Sequence, residues 1–116
     1  MSLCIYHNPR CSKSRETLAL LQQQQLVPEI VHYLDTPPDA EQLRALVAML
    51  GLSSVRQLMR HKEALYRELQ LDNPDLDEPA LYQILADHPQ LLERPIVVKD
   101  GKARIGRPPE LVLEIL

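Results

Sequence analysis

Apolar and polar residues follow strand-like and helix-like periods in the first third of the chain. The apolar, β-prone run Leu3–Tyr6 stops at the turn residues 8–9, which predicts a buried strand ending in a turn. Helical spacing of apolar residues then predicts a helix over residues 12–25, with Ser12 as its N-cap. The run Glu29–Leu34 predicts a second strand.

The middle of the chain has the pattern of consecutive helices. Thr36 before Pro37 predicts a helix start, because a hydroxyl can cap free N–H groups and proline has no N–H to leave unpaired. Apolar residues then recur at helical spacing, and Gly51 predicts the end of that helix. Shorter helical segments are predicted at residues 54–60, 63–69 and 77–86.

The last part of the chain returns to a strand pattern. Two β-prone runs, Ile96–Lys99 and Lys102–Gly106, flank the pair Asp100 and Gly101. This pair predicts a hairpin with a type I′ turn, since glycine and aspartate accept positive φ. A final helix is predicted from Pro108 onward. Its inward-facing residues are expected to be Leu111, Val112 and Ile115.

These elements together predict an α/β fold of the thioredoxin-like type. A strand-helix-strand start favours a parallel strand pair, whereas the late hairpin must be antiparallel. We therefore expect a mixed four-stranded sheet with flanking helices and an inserted all-helical segment. A chain of 116 residues is too short for two independent cores, so we expect a single domain over residues 1–116.

Composition excludes several classes of function. A net charge of −3 and the absence of Trp and Phe argue against nucleic-acid binding, which uses positive charge and aromatic stacking. No apolar run is long enough to span a membrane. Two cysteines are too few for a disulfide scaffold, and the start of the chain lacks the pattern of a signal peptide. We therefore expect a cytoplasmic protein.

The most reactive pattern in the chain surrounds Cys11, in the polar segment His7–Arg15. Cys11 lies between the first strand and the first turn of the predicted helix, where free N–H groups and the helix dipole favour a thiolate. Arg10, Lys13 and Arg15 add positive charge. The same surroundings would attract an anionic substrate.

The two cysteines call for different interpretations. Cys4 lies in an apolar strand, where a free cysteine usually serves as a small apolar filler. Cys11 has polar and cationic neighbours, which favours a functional role. The cations could also form only a solvated surface, Lys13 above all. Cys4 and Cys11 are too far apart along the strand for a disulfide without rearrangement, so a second thiol would come from another molecule.

Several known templates do not fit the Cys11 segment. A C-x-x-C motif is absent, because Ser14 occupies the position of the second cysteine. The phosphatase-type loop is absent as well, because Thr17 stands where its arginine would be. No glycine-rich phosphate loop occurs, and the few cysteines and scattered histidines do not predict a metal site.

The motifs of the chain resemble the glutaredoxin-dependent arsenate reductase family, ArsC, and most of all its YfgD-type branch. The resemblance covers essentially the whole chain. It rests on His7–Pro9 before Cys11, on Ser14 and Arg15, on the segments Arg94–Val98 and Arg107–Pro108, and on Glu110. The resemblance implies a thiol oxidoreductase that reduces arsenate to arsenite with glutathione as co-substrate and glutaredoxin as partner. It implies no bound cofactor, and we expect a monomer.

The resemblance also implies roles for individual residues. Cys11 would be the nucleophile, His7 would help to ionise it, and Ser14 and Arg15 would lie beside the thiolate. The expected substrate-binding residues are Asn8, Arg60, Arg94 and Arg107. Guanidinium groups suit an oxyanion because their planar forks bind its oxygens in pairs. Pro95 matches the cis-proline of thioredoxin-like folds.

Two departures from the family pattern leave the substrate open. Arg10 and Ser12 flank the cysteine where the best-known members have a small residue and a glycine. The chain also ends at Leu116, without the C-terminal extension of the longer enzymes. Two alternatives are therefore a glutathione-linked thiol protein with another substrate and a non-enzymatic interaction module resembling Spx. Ser14 weakens the second, because redox-sensing Spx proteins carry C-x-x-C at this site.

Overall fold

The structure is a computed structural model that describes residues 2–116. These residues form two compact units, called here the sheet unit (residues 2–36 and 94–116) and the helical unit (residues 37–93). The sequence predicts a single domain with an inserted all-helical segment. The structure shows that segment as a compact unit in its own right.

The sheet unit has the mixed four-stranded sheet that the sequence predicts. Its elements are β1 (Leu3–Tyr6), α1 (Ser12–Gln23), β2 (Glu29–Val31), β3 (Ile96–Lys99), β4 (Lys102–Ile105) and a 3₁₀ helix (Pro109–Ile115). The strand order is β2-β1-β3-β4. β1 is parallel to β2 and antiparallel to β3, and β3 pairs with β4 in an antiparallel hairpin. The α/β, thioredoxin-like fold class is confirmed.

The apolar core of the sheet unit joins the sheet, α1 and the last 3₁₀ helix. Ile5 on β1 and Val97 on β3 are fully buried and pack in one cluster with Leu21 of α1. Val112 and Ile115 join this cluster from the 3₁₀ helix, as the sequence predicts. Leu111, by contrast, is 37% exposed, so its predicted inward orientation was wrong. The tighter 3₁₀ winding places successive side chains at other angles than an α-helix would.

The hairpin and the first helix show how local chemistry sets the element boundaries. Asp100 and Gly101 have φ values of 50° and 85°, which fits the predicted turn. Helix α1 begins at Ser12, one residue earlier than a cap at Ser12 would give, because Cys11 and not Ser12 is the N-cap. The helix ends at Gln23, and Gln25 already has a φ of 60°.

Strand β2 is shorter than the sequence predicts, since it ends at Val31 instead of Leu34. The reason is a turn: the His32 carbonyl accepts hydrogen bonds from the N–H groups of both Asp35 and Thr36. The Thr36 hydroxyl also donates to His32 and therefore caps no helix. The predicted helix start at Thr36 was wrong.

The helical unit contains three α-helices and two 3₁₀ helices. They are α2 (Ala40–Leu50), a 3₁₀ helix (Val55–Leu58), α3 (Ala64–Glu68), α4 (Glu78–Asp87) and a 3₁₀ helix (Pro89–Leu91). Helix α2 starts at a capping box, in which Asp39 and Gln42 each bond the other's backbone N–H. It ends at Gly51, whose φ of 71° confirms the predicted stop. Among residues 2–116 we find no helix with the length and apolarity needed to cross a membrane.

Candidate active site

Cys11 lies at the junction of a tight loop and the amino-terminal end of α1. Its N–H donates to the Asn8 carbonyl at 3.0 Å, and the Asn8 side-chain oxygen accepts from the Arg10 N–H at 3.0 Å. These bonds close the loop after β1 and hold Cys11 in the cap position. No side chain caps α1, so its first free N–H groups remain beside the sulfur-bearing residue. Cys11 is 9% exposed.

Arg107 brings a guanidinium group to the Cys11 sulfur. Arg107 Nη1 is 3.9 Å from Cys11 Sγ and also donates to the Arg94 carbonyl at 3.1 Å. The two residues are 96 positions apart in the chain, so only the tertiary fold joins them. The peptide bond before Pro95, the cis-proline candidate, is cis, and so is the bond before Pro108.

Gly106 allows the chain before Arg107 to approach α1, a role that was not predicted from the sequence. A Cβ atom at Gly106 would lie 2.6 Å from Thr17 Oγ1 and 2.9 Å from Pro95 Cγ. The Gly106 N–H also donates to the Pro95 carbonyl at 2.9 Å. The end of β4 can therefore pack on α1 only because no side chain intervenes. The available signal was an isolated glycine at a strand end, which often marks a close backbone approach.

Arg94 has a guanidinium group with free donors. Its Nε and Nη1 atoms are buried and have no hydrogen-bond partner within residues 2–116. A buried, charged donor without a partner costs free energy, so such groups are rare in folded proteins. Buried, unpaired guanidinium donors of this kind are typical of an anion-binding site.

His7 is joined to the loop through Ser14. The Ser14 hydroxyl lies 2.6 Å from His7 Nδ1 and accepts from the Asn8 N–H at 3.0 Å. Burial lowers the pKa of His7, and the neighbouring His32 and Arg15 lower it further. His7 is therefore neutral at physiological pH. Ser14 thus contacts both the His7 ring and the Asn8 backbone, and these three residues form one hydrogen-bond network.

The other cations around Cys11 differ in their contacts. Arg15 Nη1 donates to the Pro9 carbonyl at 2.9 Å, so it supports the loop from the side of α1. The Lys13 side chain is 45% exposed, and its Nζ lies 3.5 Å from the Glu16 carboxylate. Lys13 thus has the contacts of a solvated surface residue.

Arg60 and Cys4 lie outside these contacts. Arg60 belongs to the helical unit, where its Nη1 pairs with the Glu63 carboxylate at 2.9 Å. Cys4 is a half-buried free cysteine on β1, and burial raises the pKa of its thiol. Across residues 2–116, no group of three or more His, Cys, Asp or Glu side chains is arranged to hold a metal ion.

Comparison with known proteins places these features in a family. The profile of the ArsC family matches residues 6–115. The uncharacterized protein YfgD of Escherichia coli (strain K12) is 62% identical over 97% of this chain and 94% of its own length. A protein of Haemophilus influenzae named arsenate reductase is 52% identical over the full length of both chains.

A solved structure gives the same result at the level of the fold. The solved structure of a Vibrio cholerae protein named arsenate reductase superposes with a TM-score of 0.98 and is 58% identical in sequence. The match covers 100% of this chain and 98% of that one. The resemblance seen in the motifs is thus confirmed over nearly the whole length. The chain belongs to the ArsC family.

Proposed function

We propose that this protein is an arsenate reductase in which the Cys11 thiolate is the nucleophile and glutathione and glutaredoxin supply the electrons. The relatives named arsenate reductase support the choice of substrate. The observation that carries the proposal is the Arg107 guanidinium, held 3.9 Å from Cys11 Sγ. A fixed cation together with the free N–H groups at the start of α1 attracts an anion to the position beside the sulfur.

Arg94 supplies the second reason for an oxyanion substrate. Its two buried, unpartnered nitrogen atoms can donate to a tetrahedral oxyanion without breaking any existing bond. Two guanidinium groups, those of Arg94 and Arg107, would hold negative charge that builds up during attack. Arg60 enters the proposal through the family resemblance, and its guanidinium would have to leave Glu63 to bind substrate.

The loop before α1 is held in position by four residues: His7, Asn8, Ser14 and Arg15. Ser14 holds both the His7 ring and the Asn8 N–H, and Arg15 holds the Pro9 carbonyl. A rigid loop keeps the Cys11 sulfur aligned with its anion site, which is a large part of what an enzyme site contributes to the rate.

The proposed reaction has three steps. The Cys11 thiolate attacks arsenic(V), a sulfur–arsenic bond forms, and one arsenate oxygen leaves as water after protonation. A glutathione thiolate then attacks the Cys11 sulfur, so that a disulfide forms while the sulfur–arsenic bond breaks. The electron pair of that bond stays on arsenic, which leaves as arsenite. Finally, a glutaredoxin thiolate attacks the glutathione sulfur of the mixed disulfide and releases the Cys11 thiolate.

A coupled assay tests this proposal. Arsenate-dependent oxidation of NADPH is measured with the protein, glutathione, glutaredoxin and glutathione reductase. We expect a clear rate for the intact protein and for Cys4→Ser, and a background rate for Cys11→Ser. Omission of glutaredoxin should also reduce the rate to background.

The absence of an arsenate-dependent rate in the intact protein would contradict the proposal. Mass spectrometry of the protein incubated with oxidised glutathione then separates the remaining alternatives. A glutathione adduct at Cys11 without arsenate reduction would favour a thiol protein with another substrate.

A further inference from the structure

Within residues 2–116, Arg60 is the one of the three expected substrate-binding arginines whose guanidinium forms an ion pair. Its Nη1 donates to Glu63 Oε2 at 2.9 Å, and the two side chains are 31% and 32% exposed. The guanidinium of Arg94, by contrast, has buried donors without a partner. An oxyanion that binds Arg60 therefore has to compete with a carboxylate of the protein itself.

The main chain at Arg60 is held in place without this ion pair. The Arg60 N–H donates to the Leu91 carbonyl at 2.7 Å, and the preceding residue, Met59, forms an antiparallel β-bridge with Leu92. The Arg60 carbonyl accepts from the Glu63 N–H at 3.1 Å, so backbone atoms alone close the turn. We therefore expect the backbone of Arg60 to keep its position when the two side chains separate.

His61 fixes the same turn through its side chain. Its Nε2 lies 2.7 Å from the Arg56 carbonyl, which can only accept, so Nε2 carries the proton. The His61 ring stacks on Tyr66 of α3, with ring centroids 4.5 Å apart, and the Tyr66 hydroxyl donates to Asp72 at 2.7 Å. The turn is thus anchored on both sides, and the freedom that remains at Arg60 belongs to its side chain.

The Glu63 carboxylate contributes little to the fold. Glu63 is the N-cap residue of α3, but its side chain accepts no hydrogen bond from that helix. Glutamate is also not one of the residues preferred at this position. An exposed ion pair between residues three apart adds little to stability. The main consequence of the Glu63 carboxylate is therefore its effect on the Arg60 guanidinium.

We propose that Glu63 is a positioning residue that holds the Arg60 guanidinium until an oxyanion displaces it. The part played by Arg60 rests on the proposed function. A carboxylate and a tetrahedral oxyanion bind the same face of a guanidinium, so the two compete for the same donors. Because an exposed pair is weak, this competition weakens oxyanion binding by only about two- to fivefold.

The kinetic test is Glu63→Gln in the coupled assay. The KM for arsenate should fall about two- to fivefold with kcat unchanged, because a neutral amide competes less well for the guanidinium. The matched control is Glu114→Gln, which removes an equal charge and also separates a glutamate from an arginine, Arg104. Its KM should equal that of the parent protein. An unchanged or raised KM in Glu63→Gln would overturn the proposal, as would an equal fall in Glu114→Gln.

A spectroscopic test follows Arg60 without any redox chemistry. The Cys11→Ser protein, which has no sulfur to attack arsenic, is labelled with ¹⁵N and titrated with arsenate. The Nε–H resonance of Arg60 should move saturably, and Glu63→Gln should lower the Kd for arsenate by the same about two- to fivefold. No saturable movement of this resonance would overturn the proposal. The spectra also report whether each variant is folded.

The dependence on Arg60 separates competition from a general effect of charge. In the Arg60→Gln background, Glu63→Gln should leave the Kd for arsenate unchanged, because no guanidinium is left to hold. An equally lowered Kd in that background would overturn the proposal.

These measurements also separate this proposal from the proposed function. Saturable movement of the Arg60 resonance in a protein that does not reduce arsenate would refute the proposed function alone. Arsenate reduction with a KM that Glu63→Gln does not lower would refute the role of Glu63 alone.

Discussion

The helical unit and the sheet unit use their polar side chains in opposite ways. In the helical unit, Arg56 donates to the carbonyl groups of Leu71, Asn73 and Leu76. Glu78 accepts from the Ser54 hydroxyl and the Val55 N–H. Within residues 37–93, no buried side-chain nitrogen or oxygen lacks a hydrogen-bond partner. Arg56 and Glu78 therefore use their side chains to hold neighbouring segments of this unit together.

The sheet unit contains arginines whose side-chain donors are not all used by the fold. Arg94 has two buried nitrogen atoms with no partner, and Arg107 directs a third donor at the Cys11 sulfur. Buried polar groups are normally satisfied because an unpaired one costs about 1–3 kcal/mol. The difference teaches that charge alone does not mark a functional site. The arginines to examine are those whose hydrogen bonds are incomplete in the folded chain.

Replacing the unsatisfied arginine should have the largest effect. Arg94→Leu is expected to lower kcat/KM for arsenate by about 100-fold or more, because an oxyanion would lose its donors. Stability should not fall by more than about 1 kcal/mol, since the change removes two unpaired buried donors. Coupled kinetics and urea denaturation measure both quantities.

The matched control is Arg104→Leu in the same unit, because Arg104 already has a partner in Glu114. Its kcat/KM should stay near that of the parent protein. A large loss of stability in Arg94→Leu with unchanged kinetics would reverse the comparison between the units.

Replacing Arg56, whose guanidinium is hydrogen-bonded within the helical unit, should lower stability and leave the reactivity of Cys11 unchanged. Arg56→Ala is expected to lower the free energy of unfolding by about 2–3 kcal/mol, because three carbonyl groups lose a charged donor. The rate of Cys11 alkylation by iodoacetamide should remain unchanged. The comparison is Arg67→Ala, an exposed arginine for which we expect a change within about 0.5 kcal/mol. Slower alkylation of Cys11 in Arg56→Ala would contradict a purely structural role for Arg56.

The contact at Gly106 predicts a coupled loss of stability. Gly106→Ala should cost about 1–3 kcal/mol, because the new Cβ would overlap the Thr17 side chain and the Pro95 ring. Thr17→Ala removes one of these overlaps, so the double variant should lose less stability than the sum of the two single variants. Urea denaturation of the four proteins gives the coupling energy directly. Additive effects would show that the close packing of β4 on α1 is not what requires glycine.

The smallest effect concerns the pH dependence of stability at His7. The folded protein holds the pKa of His7 below its ordinary value, chiefly through burial. The unfolded chain therefore binds the proton more readily, so stability is full above about pH 6.5 and falls as the pH decreases through the lowered folded pKa. His7→Gln should reduce the decrease in the free energy of unfolding between about pH 7.5 and 5.5, which urea denaturation can measure. An unchanged pH profile would contradict the neutral state of His7.

Local signals in the sequence predicted much of the fold. The turn at Asp100 and Gly101 and the helix stop at Gly51 depend on single residues that tolerate positive φ, so no long-range information was needed. Helix starts were harder. Thr36 looked like a cap, but its hydroxyl bonds the His32 carbonyl instead, and Asp39 caps α2. Neighbouring polar residues compete for the same role, and packing decides between them.

For the candidate site, the sequence indicated the residues but not their contacts. The cationic segment around Cys11 and the arginines before Pro95 and Pro108 were visible as motifs. The buried bond between His7 and Ser14 was not, and neither was the neighbouring His32. Such contacts depend on which side chains the loop and the sheet bring together, and no spacing rule reports this.

By itself, the sequence determined the order of strands and helices, the turn chemistry and the family, because these depend on neighbouring residues and on matching motifs. Only the tertiary structure decided that a guanidinium 96 positions away reaches the Cys11 sulfur, and that the donors of Arg94 remain free. The physical reason is that a hydrogen bond between distant residues exists only after the sheet has formed and the core has packed. Gly106 shows this most clearly, because the absence of a side chain matters only where two elements meet.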